Sequence, residues 1–196
     1  GGVPPFTINN PVNASPQSNG PINNSGVTSI PVAPTVGNTT YIITSISDSG
    51  GCINQNIINS QSIDVNPLPD INLMVAPNPI CVGDDATLLF STPDGTPPYV
   101  VDYFDGAIAK TENVPAAGSS LLVAPTNTTT YRLSFVTDDK GCESNLTDSI
   151  TLIVNEIPEV ILTTPTETCK NEIFPLTFDF TAGSAPWTIT YNLDGN

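Results

Sequence analysis

The chain has 196 residues, with 19 Asp plus Glu against 4 Lys plus Arg, no histidine and a net charge of −15. That imbalance excludes nucleic acid as a partner, because such binding rests on Lys and Arg neutralising phosphates. The missing histidine excludes Ser-His-Asp and Cys-His catalysis and every His-containing zinc site. Apolar residues make up 38% and charged residues 12%. No run of eighteen apolar residues is present for a membrane span, and no signal peptide is visible. The abundant Pro, Thr, Ser and Asn are poor helix formers, so the elements are expected to be strands and turns.

In chain order, "GVPPFTI" (2–8) opens the sequence and "VAPTVGNTTYIITSISDSGGC" (32–52) follows. "DVNPLPDINL" (64–73) comes next, and from it seven strands are expected, at 71–76, 86–92, 98–104, 107–111, 119–124, 130–137 and 149–154. Asp105-Gly106 suits a two-residue hairpin turn, and Gly95 with Pro97 and Pro98 breaks the chain between the second and third of these strands.

Within this run the opening patterns recur. "VAPTNTTTYRLSFVTDDKGC" (123–142) repeats 32–52, and Tyr131 to Cys142 spans the same eleven steps as Tyr41 to Cys52. "IVNEIPEVIL" (153–162) repeats 64–73 and sets Pro158 89 residues after Pro69. "GTPPYVVDYFDG" (95–106) and "GSAPWTITYNLDG" (183–195) share their pattern with residues 2–8. A repeat of this kind decides the architecture. The expected fold class is all-β, as tandem immunoglobulin-like β-sandwich repeats of about 89 residues, since seven short strands in that length match such a sandwich. The expected domains are 1–69 (the C-terminal part of one repeat), 70–158 (a complete repeat) and 159–196 (the N-terminal part of a third), so the chain reads as a window on a longer array.

Tyr131 and Tyr41 enter the sixth strand, where such sandwiches place a tyrosine corner, and Trp187, Tyr99 and Phe6 begin the third, where an aromatic plugs the space between sheets. Core packing is favoured for these rings over a sugar-stacking role. Pro67, Pro69 and Pro158 are expected to stiffen the joints between repeats.

Cys52, Cys81, Cys142 and Cys169 lack Cys-x-x-Cys spacing and read as structural disulfides of an oxidising, extracellular setting. Cys81 and Cys142 are expected at opposite ends of a sandwich, roughly 20 Å apart, beyond the ~7 Å that a disulfide tolerates between Cα atoms. Inter-repeat bridges are therefore favoured for all four cysteines, with Cys81 to Cys142 as the alternative. The acidic turns at 83–85, 94, 105, 137–141 and 194 offer calcium ligands without EF-hand spacing and read as solvated loops. No cofactor is expected, calcium being the one ion left open. No carboxylate pair stands out for glycosidase chemistry, and the chain is not read as an enzyme.

"PICVGDDATLLF" (79–90), "GTPPYVVDYFDG", "GSAPWTITYNLDG", "VAPTNTTTYRLSFVTDDKGC" and "VNPLP" (65–69) together resemble the Ig-like repeats of the very large, SprB-like surface adhesins of gliding bacteria. Residues 169–180 depart from the pattern in lacking an equivalent of Gly83, and an extra residue precedes Tyr41. The resemblance implies export by type IX secretion, display as an outer-membrane-attached filament on the cell surface, and movement by the gliding motor. The implied partners are neighbouring repeats of the same chain, the secretion and gliding machinery, and a surface polysaccharide or substratum gripped through other regions. It also implies O-glycosylation at Ser149, because related bacteria modify Asp-Ser/Thr-apolar tripeptides such as Asp148-Ser149-Ile150. On this reading the chain is a stalk segment, with a glycan-binding or linker module of a large secreted enzyme as the alternative.

Overall fold

In the computed structural model, residues 2–12, 17–23, 26–57, 59–116 and 118–192 are described. Eighteen strands and no helix occur among them. The chain divides into two units, Gly1–Leu68 and Pro69–Asn196. Asp194 and Gly195, expected to form a turn, lie outside the described residues.

In the first unit β1 (Phe6–Asn9), β2 (Ser18–Ile22), β3 (Gly37–Ile43), β4 (Ser45–Ser47), β5 (Ile53–Asn54) and β6 (Asn59–Val65) follow one another. They form one sheet in the order β2-β1-β4-β5 and a β3-β6 ribbon.

The second unit begins with β7 (Asp70–Ala76), β8 (Ile80–Cys81), β9 (Ala86–Asp94), β10 (Tyr99–Asp105) and β11 (Ile108–Val114). It continues with β12 (Ser120–Val123), β13 (Thr129–Thr137), β14 (Glu143–Asn145), β15 (Ser149–Leu152) and β16 (Val154–Asn155). One sheet runs β11-β10-β13-β14, with β15 also on β13, and a second runs β12-β9-β7. Strict alternation along β7 buries Ile71 and Leu73 and exposes Asn72 and Met74, as a half-buried strand requires. The inward residues of both sheets, among them Phe90, Leu88, Val101, Tyr131 and Leu133, join one core cluster. Phe90 and Tyr103 meet edge to face across it, their centroids 6.2 Å apart. This arrangement fits a β-sandwich, and each expected strand of 70–158 has an observed counterpart. Each fully buried Leu or Val contributes about 1.5–3 kcal/mol, which is why the core needs both sheets.

After β16 the chain forms a hairpin of β17 (Glu159–Thr163) and β18 (Thr177–Ala182). It copies the register of β7 on β9. Leu73 opposite Phe90 becomes Leu162 opposite Phe178, and the irregularity after Asp70 recurs after Glu159. In the first unit Ile8 opposite Ile46 likewise copies Val101 opposite Val136.

Pro69 is part of the packed body and not only a joint. It is fully buried, and a Cβ on Gly95 (φ +96°) would stand 2.8 Å from its Cα. Gly183 has the same relation to Pro158. The proline before the first strand of each unit thus closes the end of the sheet, with glycine facing it because nothing larger fits.

Candidate functional site: the carboxylate-held cysteine turns

The four cysteines share one hydrogen bond, made in two different turns. Each Cys N–H donates to a nearby carboxylate: Cys52 to Asp48 at 3.0 Å, Cys81 to Asp84 at 3.2 Å, Cys142 to Asp138 at 2.9 Å and Cys169 to Glu172 at 3.2 Å. The carboxylate comes four residues before Cys52 and Cys142 but three after Cys81 and Cys169, so two different turns converge on one device.

At Cys142 the turn also reaches across the fold. Asp138 Oδ1 accepts the N–H of Lys140 at 2.9 Å and Oδ2 that of Thr96 at 3.0 Å, while the N–H of Asp139 returns to the Thr96 carbonyl. In the first unit Asp48 Oδ2 accepts the N–H of Val3 at 3.1 Å, and Ser49 N–H donates to the Val3 carbonyl. These bonds, led by that from Val3 and then that from Cys52, hold the Asp48 carboxyl below its ordinary value, since each stabilises the anion. At the other end Gly83 (φ +95°) shapes the Cys81 turn, and Asn171 (φ 64°) takes its place before Glu172. Asn tolerates the left-handed region better than most residues, so the departure at 169–180 leaves the turn intact.

All four thiols are free in this structure. The Cys81 to Cys142 alternative is not formed, and the fold gives the reason. Cys142 lies in the turn that holds Thr96, just beyond the end of β9, whereas Cys81 lies before its start. The nine residues of β9 separate them by about 26 Å at ~3.3 Å per residue. Cys52, Cys81 and Cys169 are exposed and Cys142 is half-buried.

Ser149 is exposed at the start of β15, as a modification site must be. Its neighbour Asp148 has structural work of its own. One oxygen accepts the N–H of Leu73 in the opposite sheet at 2.7 Å, and the other accepts that of Ser149 at 2.9 Å.

A groove of about 580 Å³ opens between β11 and β12, with Tyr103, Tyr131, Asp105, Lys110 and Glu112 among its walls. Lys110 and Asp105 form an ion pair at 2.5 Å. The hydrogen bond to Asp105 raises the Lys110 pKa. Burial raises Tyr103 and pushes Tyr131 up to about 12, with the Asp105 charge adding to the effect. The Tyr131 ring is buried in the core, but its hydroxyl makes no hydrogen bond among the described residues, so the bond expected of a tyrosine corner is not found among them. Of the three equivalent aromatics, Tyr99 is buried and Phe6 half-buried. Trp187 is 39% exposed and stacks on Phe180 at 4.2 Å and 11°.

Among the described residues no group of three His, Cys, Asp or Glu could hold a metal ion, and no helix is long and apolar enough to cross a membrane. No family model, curated protein or solved structure matches this chain.

Proposed function

We propose that this chain is a stalk segment of tandem immunoglobulin-like repeats in a secreted cell-surface adhesin filament used for attachment and gliding motility. The observation that carries the reading is the recurrence of one strand register and one carboxylate-held turn along the chain, as in Leu73 on Phe90 and Leu162 on Phe178, or Asp138 on Thr96 and Asp48 on Val3. Repetition of this kind suits a rod whose modules add length and bear load, with stability summed over units and their junctions. In that role the exposed cysteine turns would bond to neighbouring repeats, and export and movement would follow the pattern of the resembling adhesins. The test is labelling of intact source cells with antibody against residues 70–158, together with deletion of the gene. Surface label in extended tufts and lost adhesion or gliding support the proposal, and label confined inside the cell refutes it.

A second reading, a glycan-binding module, is favoured by Trp187, 39% exposed and stacked on half-buried Phe180, because aromatic faces also bind sugars. Quenching or shift of Trp187 fluorescence by a soluble polysaccharide would support it. No change across neutral and acidic polysaccharides would remove it.

A further inference from the structure

We propose that the groove between β11 and β12 is a binding site for a neutral saccharide, gripped by the hydroxyls of Tyr103 and Tyr131. The stalk reading assigns no ligand to this place, and the site does not involve Trp187.

Strand register gathers the polar groups. Tyr103 lies opposite Lys110 on β11, and Asp105 lies opposite Tyr131 on β13. Alternation along β10 and β11 puts Tyr103, Asp105, Lys110 and Glu112 on the same face of their sheet. β11 is the last strand of that sheet and β12 the last of the other, so the two margins leave an open groove of about 580 Å³ in place of a sealed core. That size lies within the ~300–1,000 Å³ of small-molecule sites. Leu121, Val123 and Pro125, each half-buried, supply an apolar wall.

The two hydroxyls are the groups that point to a ligand. Both residues are buried, Tyr103 at 3% exposed and Tyr131 at 1%, yet neither hydroxyl has a hydrogen-bond partner among the described residues. Among those residues Thr92 Oγ1 is the one sealed side-chain oxygen without a partner, so both phenol oxygens open into the groove that they line. Phenylalanine would pack either position without leaving a donor unpaired. Lys110 and Glu112, turned inward on an edge strand, protect that edge against an added strand. Such protection explains the two charges but not the two hydroxyls.

The chemistry of the walls selects the ligand class. Burial keeps both phenols protonated well above neutral pH, so each offers a donor and an acceptor. Lys110 adds donors, and Asp105 and Glu112 add acceptors. Lys110 and Asp105 already neutralise one another, which leaves the Glu112 charge unbalanced in a chain of net charge −15 and repels anions. A cation would have to compete with Lys110 for Asp105. A saccharide carries hydroxyls for the polar groups and C–H faces for Leu121 and Val123, with no charge to strip of water.

The experiment titrates the whole isotope-labelled chain with cellobiose, maltose, lactose and N,N′-diacetylchitobiose into the millimolar range, with digalacturonate as the charged control. At least one neutral sugar should shift amides centred on Tyr103, 110–112, 121–123 and Tyr131, and digalacturonate should shift none of them. Tyr103→Phe and Tyr131→Phe keep the rings, so each should leave the rest of the amide spectrum unchanged and weaken the Kd by about 3- to 10-fold. No shift in the groove with any of the four neutral sugars would overturn the proposal. So would tighter binding of digalacturonate, affinity undiminished in both phenylalanine variants, or shifts centred instead on Trp187 and Phe180.

Discussion

The carboxylate of Asp138 holds the backbone N–H of Thr96 at 3.0 Å, 42 residues away in sequence. Thr96 is the last residue before Pro97 and Pro98, neither of which carries an N–H, so its amide is the final donor before the chain crosses from the β9 sheet to the β10 sheet. Fixing it ties that crossing to the turn between β13 and β14 and closes one end of the sandwich in the second unit. Asp48 holds Val3 ahead of Pro4 and Pro5 in the same way.

Replacing Asp138 by alanine should therefore destabilise the second unit by about 2–4 kcal/mol, since three N–H groups lose their acceptor at a site that is 6% exposed. Asp138→Asn, which keeps one acceptor oxygen, should lose less. Urea unfolding of each variant checks the order, and an unchanged midpoint for the alanine variant would show that Thr96 is held by packing alone.

Asp48 gives the pH counterpart. Its folded pKa lies below the ordinary value of 3.8, so its contribution to the first unit is present above that value and is lost as pH falls through the lower, folded one. Protection of the Val3 and Cys52 amides, measured against the intrinsic exchange rate at each pH, should fall on acidification below about pH 4. Asp48→Asn should show weak protection of these amides already at neutral pH, with little further loss of protection in acid.

The strands of 70–158 were legible because each buries one face, which leaves a period of two in the sequence, and because the repeat supplies a second copy of the same pattern. Side chain to backbone bonds between distant residues leave no such trace. Nothing local in "TDS" announces that Asp148 will hold Leu73, 75 residues away. The parallel contact of β16 with β8, Val154 opposite Ile80, is two residues long and depends on tertiary packing to form at all. Pro69 was readable as a joint residue from composition, but its burial beneath Gly95 follows from the sheet end it closes. The cysteine turns were half legible, since Asp-x-x-Gly-Cys recurs in the sequence whereas the convergence of two unlike turns on one carboxylate bond does not.

Two glycines with nearly equal backbone angles should respond differently. Gly95 and Gly83 have φ of +96° and +95°, but a Cβ at Gly95 would meet Pro69 Cα at 2.8 Å and Tyr99 Cε1 at 2.9 Å, while one at Gly83 would meet nothing within 4 Å. Gly95→Ala should cost about 3 kcal/mol or more, combining left-handed strain with overpacking. Gly83→Asn, which imitates Asn171, should cost about 1 kcal/mol or less. Thermal unfolding of the pair measures the difference, and equal losses would mean that the Pro69 contact is soft.

Asp148 and Ser149 separate structure from modification. Asp148→Ala leaves Leu73 N–H without its acceptor between the sheets and should cost about 1–3 kcal/mol. Ser149→Ala, at an exposed position, should stay within about 0.5 kcal/mol of the parent. In material from the native source, Ser149→Ala should abolish any glycan mass on the peptide containing it, and a mass shift that survives the substitution would place the glycan elsewhere.

The buried tyrosines set an alkaline limit on the second unit. In the unfolded chain a tyrosine loses its proton near its ordinary value of 10.0, whereas in the fold burial holds Tyr131 protonated to about 12 and raises Tyr103 in the same direction. Between those values the unfolded state binds fewer protons than the folded state, so stability that is fully present below pH 10 falls as pH rises toward 12. Tyr131→Phe should change neutral stability by less than about 1 kcal/mol, because its hydroxyl makes no hydrogen bond to the described residues. The same substitution should shift the alkaline unfolding midpoint upward. Tyrosinate absorbance recorded with unfolding from about pH 9 to about pH 12.5, a range that brackets the ordinary and the raised values, tests this, and a Tyr131→Phe variant that unfolds in alkali with the parent would assign the limit to Tyr103 and the remaining charges.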